Sequence, residues 1–275
     1  MNQQSKRAIK ALVLELRHTL EDDIDIQLRR YGYAGGRWIE PENLPHIWND
    51  DAAMAQRQRM DTALAQELRR MGVGDADKAT AKQREEAAGW FVREIAYTHL
   101  NRLVALKALE VRGLIPEVIT VRDAYGGRSR AHYDLRNSHP ELCRGPDEGL
   151  SETIRQVSRL AYRDFRLLFD VGDPAEGRAA PVNTLIWPGH TALRSCVVAI
   201  NGLDTRAENL GESLWLEDEI IGWLYQFHTA EQKEAIRSRG KPRRPAEVAV
   251  INPFRSGCGR SVTISCPSRW AVRIR

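Results

Sequence analysis

Cysteine is scarce in this chain of 275 residues, and the four that occur form no C-x-x-C pair: Cys143, Cys196, Cys258 and Cys266. This scatter supports neither a disulfide framework nor a zinc site. Long apolar runs are also missing, because no stretch approaches ~18 uncharged apolar residues, which argues against a transmembrane helix. The first residues carry positive charge without a clean apolar core or a cleavage site, so we predict a cytoplasmic protein.

Several catalytic motifs are missing as well. The sequence has no H-x-x-x-H or H-E-x-x-H pair, no G-x-x-x-x-G-K-[ST] loop and no G-x-S-x-G elbow. Asn252-Pro253-Phe254 shares part of the N-P-P-[FY] motif of amino-group methyltransferases, but one proline is missing and no SAM-binding domain precedes it. We therefore predict no catalytic, cofactor-binding or metal-binding residue in this chain.

The positive net charge is confined to one end of the sequence. The chain carries a formal charge of +4, yet residues 255–275 hold five arginines and no acid. Without that segment, residues 1–254 carry a net charge of −1, from 36 basic and 37 acidic residues. Overall basicity is therefore no argument that the body of the protein binds nucleic acid.

Apolar residues recur at helical spacing through most of the chain. The spacing and the capping residues predict helices over 5–31, 51–71, 80–113, 151–168, 190–202, 212–228 and 229–240. Short strands are predicted at 117–121 and 246–251, and a long loop at 125–149. The fold prediction is an irregular, mainly α multi-helix domain with at most a minor β element. A sub-boundary is expected near 172–181.

The helix that contains 96–111 combines apolar residues on almost every side with polar ones, such as His99, Arg102, Lys107 and Glu110. One interpretation gives His99 a role as a general base or a ligand, and the other makes it a hydrogen-bonded core residue. Lys107 and Glu110 lie one turn apart and can pair. Because a buried charge needs a partner, we favour a role in fixing helix packing over catalysis.

A basic run, RSRGKPRR, lies at the end of the last predicted helix and in the loop after it, and contains Arg237, Arg239, Lys241, Arg243 and Arg244. Its cations can be solvated charges at a helix end, or they can form a patch that contacts DNA phosphates. Both interpretations remain open from the sequence.

Two longer motifs resemble one protein family. REIAYTHLNRLVALKALEVRG and EDEIIGWLYQFHTAEQKEAI are similar to segments of the N-terminal helical region of adenine-specific DNA methyltransferases of phage defence, of the PglX (BREX) type and of related type IIG restriction-modification enzymes. The residues that carry the resemblance include Tyr97, Asn101, Arg102, Glu110, Trp223 and Tyr225.

The resemblance covers about residues 5–252. It implies that residues 1–252 form a helical region that scaffolds a methylase core and helps to enclose duplex DNA, with S-adenosylmethionine as the cofactor of the full-length enzymes and other defence-system proteins as possible partners. The family pattern is lost after Ile251-Asn252. Residues 253–275 are expected to be a non-family, disordered tail, which suggests a frameshifted or truncated product that is inactive by itself. The alternative is a stand-alone helical module that docks on DNA or a defence complex.

Overall fold

The structure, a computed structural model, describes residues 2–162, 169–172, 177, 181–209, 211–224 and 226–227. The chain divides into two compact units, Met1–Leu224 and Tyr225–Arg275, and almost all described residues belong to the first. The α-helices of this unit are α1 (Gln3–Arg30), α2 (Pro45–Trp48), α3 (Asp51–Arg70), α4 (Ala81–Val111), α5 (Arg130–Ser138), α6 (Leu150–Tyr162), α7 (His190–Asn201) and α8 (Leu203–Arg206).

Helix α4 is the central element of the first unit. It packs against α1, α3 and α7, and against the 3₁₀ turns Val182–Thr184 and Leu214–Leu216. Its 31 residues span roughly 46 Å at about 1.5 Å per residue. Because neighbours surround it, α4 buries residues on nearly every side, among them Phe91, Ile95, Leu103 and Leu106.

Helix α1 packs on α4 with a continuous apolar face. The residues of this face recur every three or four positions and are fully buried: Ile9, Leu12, Val13, Leu16, Leu20, Ile24 and Leu28. This spacing is the basis of the predicted helix over 5–31. Burying one such side chain contributes about 1.5–3 kcal/mol, so the α1–α4 contact is a major part of the core.

A small hairpin supplies the β structure among the described residues. Strands β1 (Tyr33–Ala34) and β2 (Arg37–Trp38) pair antiparallel, with Tyr33 opposite Trp38. The hairpin turn lies directly on the start of α4, and a Cβ on Gly36 would sit 2.4 Å from the carbonyl oxygen of Ala81. Only glycine fits such an approach. The prediction of a mainly α fold with a minor β element is confirmed.

Local signals placed the ends of several helices correctly. Asp50 caps α3 by accepting hydrogen bonds from the amides of Ala52 and Ala53. Thr80 and Gln83 form the capping box at the start of α4. Helix α7 ends at Asn201, one residue before Gly202, as the sequence predicted.

Other predictions were wrong. Residues 117–121 form no strand, and the only pairing in this part of the described chain is an isolated bridge between Arg122 and Arg128. The predicted loop 125–149 contains α5, because the Ser129 side chain caps a helix there. The predicted helix 212–228 begins instead with the turn Leu214–Leu216, and helical residues follow only from Ile220.

Several predictions fall on residues outside the described part. These are the sub-boundary near 172–181 in most of its length, the helix 229–240, the strand 246–251 and the tail 253–275. None of the helices in the described ranges has both the length and the apolar character needed to cross a membrane.

Candidate functional site

The polar residues of α4 form two separate clusters inside the first unit. Arg102 is 1% exposed and His99 is 2% exposed, whereas Lys107 and Glu110 lie about two turns further along the helix. Tyr97 and Asn101, which also belong to the first sequence motif, are half-buried on the same helix. The motif residues of α4 therefore do not converge on one pocket.

The first cluster surrounds His99. Its Nε2–H donates to the carbonyl oxygen of Ile186 at 2.9 Å, and Nδ1 accepts from the guanidinium of Arg102 at 3.4 Å. Burial, with a further contribution from the Arg102 charge, lowers the pKa of His99 to about 3. The imidazole is therefore neutral at pH 7 and unsuited to act as a general base there.

Trp187 lies at the edge of the same cluster and attracts two cations. The guanidinium carbon of Arg155 is 4.3 Å from a Trp187 ring centroid, and that of Arg102 is 5.6 Å away. Arg102 also donates to the carbonyl oxygen of Asp170 at 3.1 Å. Burial and the neighbouring Arg155 charge lower the pKa of Arg102 to about 10, so it stays charged at pH 7. The ring face offsets part of the cost of desolvating these cations.

The second cluster is centred on the Glu110 carboxylate. It accepts hydrogen bonds from the backbone amides of Val118, Ile119 and Thr120 at 2.7, 2.7 and 2.8 Å. The Lys107 ammonium lies 3.1 Å from Glu110, which confirms the predicted pairing. The carboxylate thus satisfies donors that a strand at 117–121 would have used for a sheet.

Asn201, at the end of α7, completes this cluster. Its Nδ2 donates to the carbonyl oxygen of Ile119 at 2.8 Å, and its Oδ1 accepts from Lys107 at 3.4 Å. The cluster therefore joins α4, α7 and the 118–120 loop. The sequence contains no signal for the roles of Asn201 and Thr120, because their contacts join residues that belong to different elements.

The residues of the second sequence motif lie elsewhere. The Lys6 ammonium is 4.3 Å from a Trp223 ring centroid, and the Trp223 indole N–H donates to Glu219 at 3.2 Å. Tyr225 and the predicted DNA-contacting residues lie outside the described part of the chain: Arg237, Arg239, Lys241, Arg243 and Arg244. Within the described residues, no group of three or more His, Cys, Asp or Glu side chains is arranged to hold a metal ion.

A cleft of 310 Å³ opens between α3 and α4. Its apolar lining consists of Trp90 and Val182, which are at least partly exposed, and of Ala63, Phe91 and Ile95, which are at most 4% exposed. Polar side chains complete the lining: Gln66, Glu67, Arg70, Glu94 and Asn183. No sequence motif indicates this cleft, because its residues come from three separate segments.

These observations define a class of protein, a helical unit in which buried polar residues hold the secondary-structure elements together. The sequence is 22% identical over 269 residues to the adenine-specific methyltransferase PglX of Lacticaseibacillus casei (strain Zhang), a match that covers 86% of this chain and 20% of PglX. It is also 22% identical over 179 residues to the adenine-specific methyltransferase BrxX of Escherichia coli O9:H4 (strain HS), covering 58% of this chain and 14% of BrxX.

The similarity is therefore distant but extends over most of the sequence, and it agrees with the resemblance carried by the two motifs. The chain spans about a fifth or less of the length of these curated relatives. No family model matches the sequence, and no solved structure matches it at a significant level.

Proposed function

We propose that this chain corresponds to the helical scaffold region of a PglX-type adenine-specific DNA methyltransferase of a BREX or restriction-modification system. The observation that carries the proposal is the similarity to PglX over 86% of the chain. In this role the helices support a methylase core and help to enclose DNA, while the parts that bind S-adenosylmethionine and the flipped adenine lie in other regions of such enzymes.

The two polar clusters of α4 are consistent with scaffolding. His99 donates to the carbonyl oxygen of Ile186 and Glu110 accepts from three amides of the 118–120 loop, so each side chain holds a segment outside α4 in place. A group that transfers protons near neutral pH needs a pKa close to that pH. The pKa of His99, at about 3, is far from it.

DNA contact is assigned in this proposal to the basic run between Arg237 and Arg244. Its five cations stand within eight residues, whereas residues 1–254 as a whole carry a net negative charge. Lysine and arginine that neutralise phosphates release counterions, so binding through them weakens steeply with salt. This behaviour gives the proposal a direct test.

The experiment measures binding of a fluorescently labelled DNA duplex by anisotropy between 50 and 200 mM KCl. Over this range, a protein that makes six to ten phosphate contacts loses about 10³–10⁵ in affinity. We expect the logarithm of the binding constant to fall with a slope of about −0.9 per phosphate contact. Changing all five cations of the run to glutamine should weaken binding and flatten this slope.

The matched control neutralises five exposed cations of the first unit instead: Arg7, Lys10, Arg37, Lys82 and Arg144. It should leave both the affinity and the slope close to those of the parent chain. Equal losses in the two variants, or binding that ignores salt, would contradict the assignment of DNA contact to this run. Transfer of a labelled methyl group from S-adenosylmethionine to DNA by this chain alone would contradict the scaffold role.

A further inference from the structure

The cleft between α3 and α4 has the chemistry of a receptor for a cation on an apolar stem. Two carboxylates, Glu67 and Glu94, line it together with the indole of Trp90. Carboxylates pair with a guanidinium, an aromatic face attracts it, and an exposed apolar side chain such as Val182 can contact the methylene groups that precede it. Arginine is the side chain that combines these three properties.

Arg70 of this chain already makes part of this interaction. Its guanidinium lies 3.4 Å from the Glu67 carboxylate and 5.9 Å from a Trp90 ring centroid. The Arg70 side chain is nevertheless 73% exposed, whereas that of Glu67 is 14% exposed. An exposed pair of this kind contributes about 0.2–1 kcal/mol, so a better-placed cation can displace Arg70.

Glu94 has no such partner among the described residues. No hydrogen bond or ion pair of its carboxylate occurs there, and the carboxylate faces the same cleft as Glu67. Desolvation is the main reason that the pKa of Glu94 lies above its ordinary value; the Arg93 charge lowers this pKa, the Glu67 charge raises it, and the Arg70 charge lowers it. A guanidinium that pairs directly with the Glu94 carboxylate would offset this desolvation and the repulsion from Glu67.

The geometry points to a docking site for an arginine side chain of a partner protein, held by Glu67, Glu94 and the face of Trp90. The rim supports a protein partner, because Val182 is 41% exposed at the mouth of the cleft and offers apolar contact to flanking residues. Two carboxylates at this position repel the phosphates of a nucleic acid, so the cleft faces a protein and not DNA. This inference does not depend on the methyltransferase proposal.

The test uses N-acetyl-L-arginine amide as the probe and N-acetyl-L-citrulline amide as a neutral probe of nearly the same shape. Binding to the full chain is followed by NMR through the indole N–H resonance of Trp90, which a Trp90→Phe variant identifies. We expect the arginine probe to shift this resonance in a saturable manner and the citrulline probe to leave it in place. Absence of a shift with the arginine probe, or equal shifts with both, would overturn the inference.

Two substitutions should act in opposite directions. Glu94→Gln removes a carboxylate that makes no hydrogen bond or ion pair among the described residues, and it should weaken the arginine probe about three- to fivefold, the effect of one exposed ion pair. Arg70→Gln removes the internal competitor and should strengthen binding about two- to threefold on the same scale. Glu85→Gln and Arg69→Gln, exposed on the same two helices and outside the cleft, are the matched controls and should change neither value.

Weaker probe binding in Arg70→Gln, or unchanged binding in Glu94→Gln, would overturn the arrangement proposed here. A labelled DNA duplex that shifts the Trp90 resonance in place of the arginine probe would do the same. Circular dichroism of each variant checks that the helices are retained. Because the two substitutions are expected to have opposite signs, a general loss of structure cannot imitate the expected result.

Discussion

At the scale of single residues, the polar side chains buried on α4 hold the backbone of other elements. His99 donates to the carbonyl oxygen of Ile186, and Glu110 accepts from three consecutive amides. An unpaired buried donor or acceptor costs about 1–3 kcal/mol, so each of these contacts removes a penalty that the loops would otherwise carry. The polar residues of α4 thus explain why a surrounded helix is not uniformly apolar.

His99 should make the stability of the protein depend on pH. Its pKa is about 3 in the native state and about 6.5 in the unfolded chain. Between these values the unfolded state binds one more proton than the native state, so stability falls as the pH drops below 6.5. In urea titrations, the parent chain should lose about 3 kcal/mol more than His99→Gln between pH 7 and 4.5, at about 1.4 kcal/mol per pH unit.

Glutamine is the informative replacement for His99, because its amide can donate to the carbonyl oxygen of Ile186 but does not titrate. All carboxylates of the chain remain in both proteins, so their effects cancel in the comparison. Parallel stability curves for the parent chain and His99→Gln over this pH range would refute the assignment of a neutral native histidine.

At the scale of elements, signals contained in a few neighbouring residues were sufficient to predict where helices begin and end. Thr80 and Gln83 predicted the start of α4, and Gly113 predicted the end of the helix, which closes at Val111. Capping depends on side chains that contact backbone groups within the same turn, so the sequence contains the whole interaction.

The sequence was insufficient where a distant group decides the structure. EVITV has the β-branched composition of a strand, yet the amides of 118–120 donate to Glu110 and not to a neighbouring strand. Composition reports a preference for pleated structure but not the partner that satisfies the backbone. For the same reason the sequence predicted the Lys107–Glu110 pair but not Asn201, and none of the residues of the α3–α4 cleft.

The link between α4 and the 118–120 loop should be among the most sensitive contacts of the fold. Glu110→Gln replaces one carboxylate oxygen by an amide that cannot accept the amide hydrogens, and it leaves the buried Lys107 ammonium without a counter-charge. We expect a loss of about 3–5 kcal/mol of unfolding free energy in urea, as for other broken buried pairs. The double variant Lys107→Met with Glu110→Gln should lose less than the sum of the single losses, because it removes the stranded charge.

Glu85→Gln on the exposed side of α4 is the control for this measurement, and surface changes of this type stay within about 0.5 kcal/mol. A cost below about 1 kcal/mol for Glu110→Gln would place the pair in the range of exposed ion pairs and contradict the role described for it.

At the scale of the whole first unit, the segment 185–189 connects the long helices. Three consecutive carbonyl oxygens of this segment accept hydrogen bonds from three different helices. The donor is Gln56 of α3 for Leu185, His99 of α4 for Ile186, and Gln27 of α1 for Trp187. Asp23 of α1 accepts from the amide of Gly189 at 2.8 Å, just before α7 begins. An irregular segment thus links α1, α3 and α4 through side-chain contacts, which no helical periodicity could reveal.

This arrangement predicts local opening when the side-chain contacts are removed. The double variant Gln27→Ala with Gln56→Ala loses its two hydrogen bonds to this segment, and also those of Gln27 to Asp23 and of Tyr31 to Gln56. Because the two bonds to the segment are worth about 1 kcal/mol each, native-state hydrogen exchange at the amides of Leu185 and Gly189 should accelerate at least about tenfold. Gln58→Ala, exposed on α3, is the control and should leave these rates unchanged. If exchange rises equally in the core of α1 and α4, the variant destabilises the unit globally, and the segment 185–189 does not open by itself as the hydrogen bonds indicate.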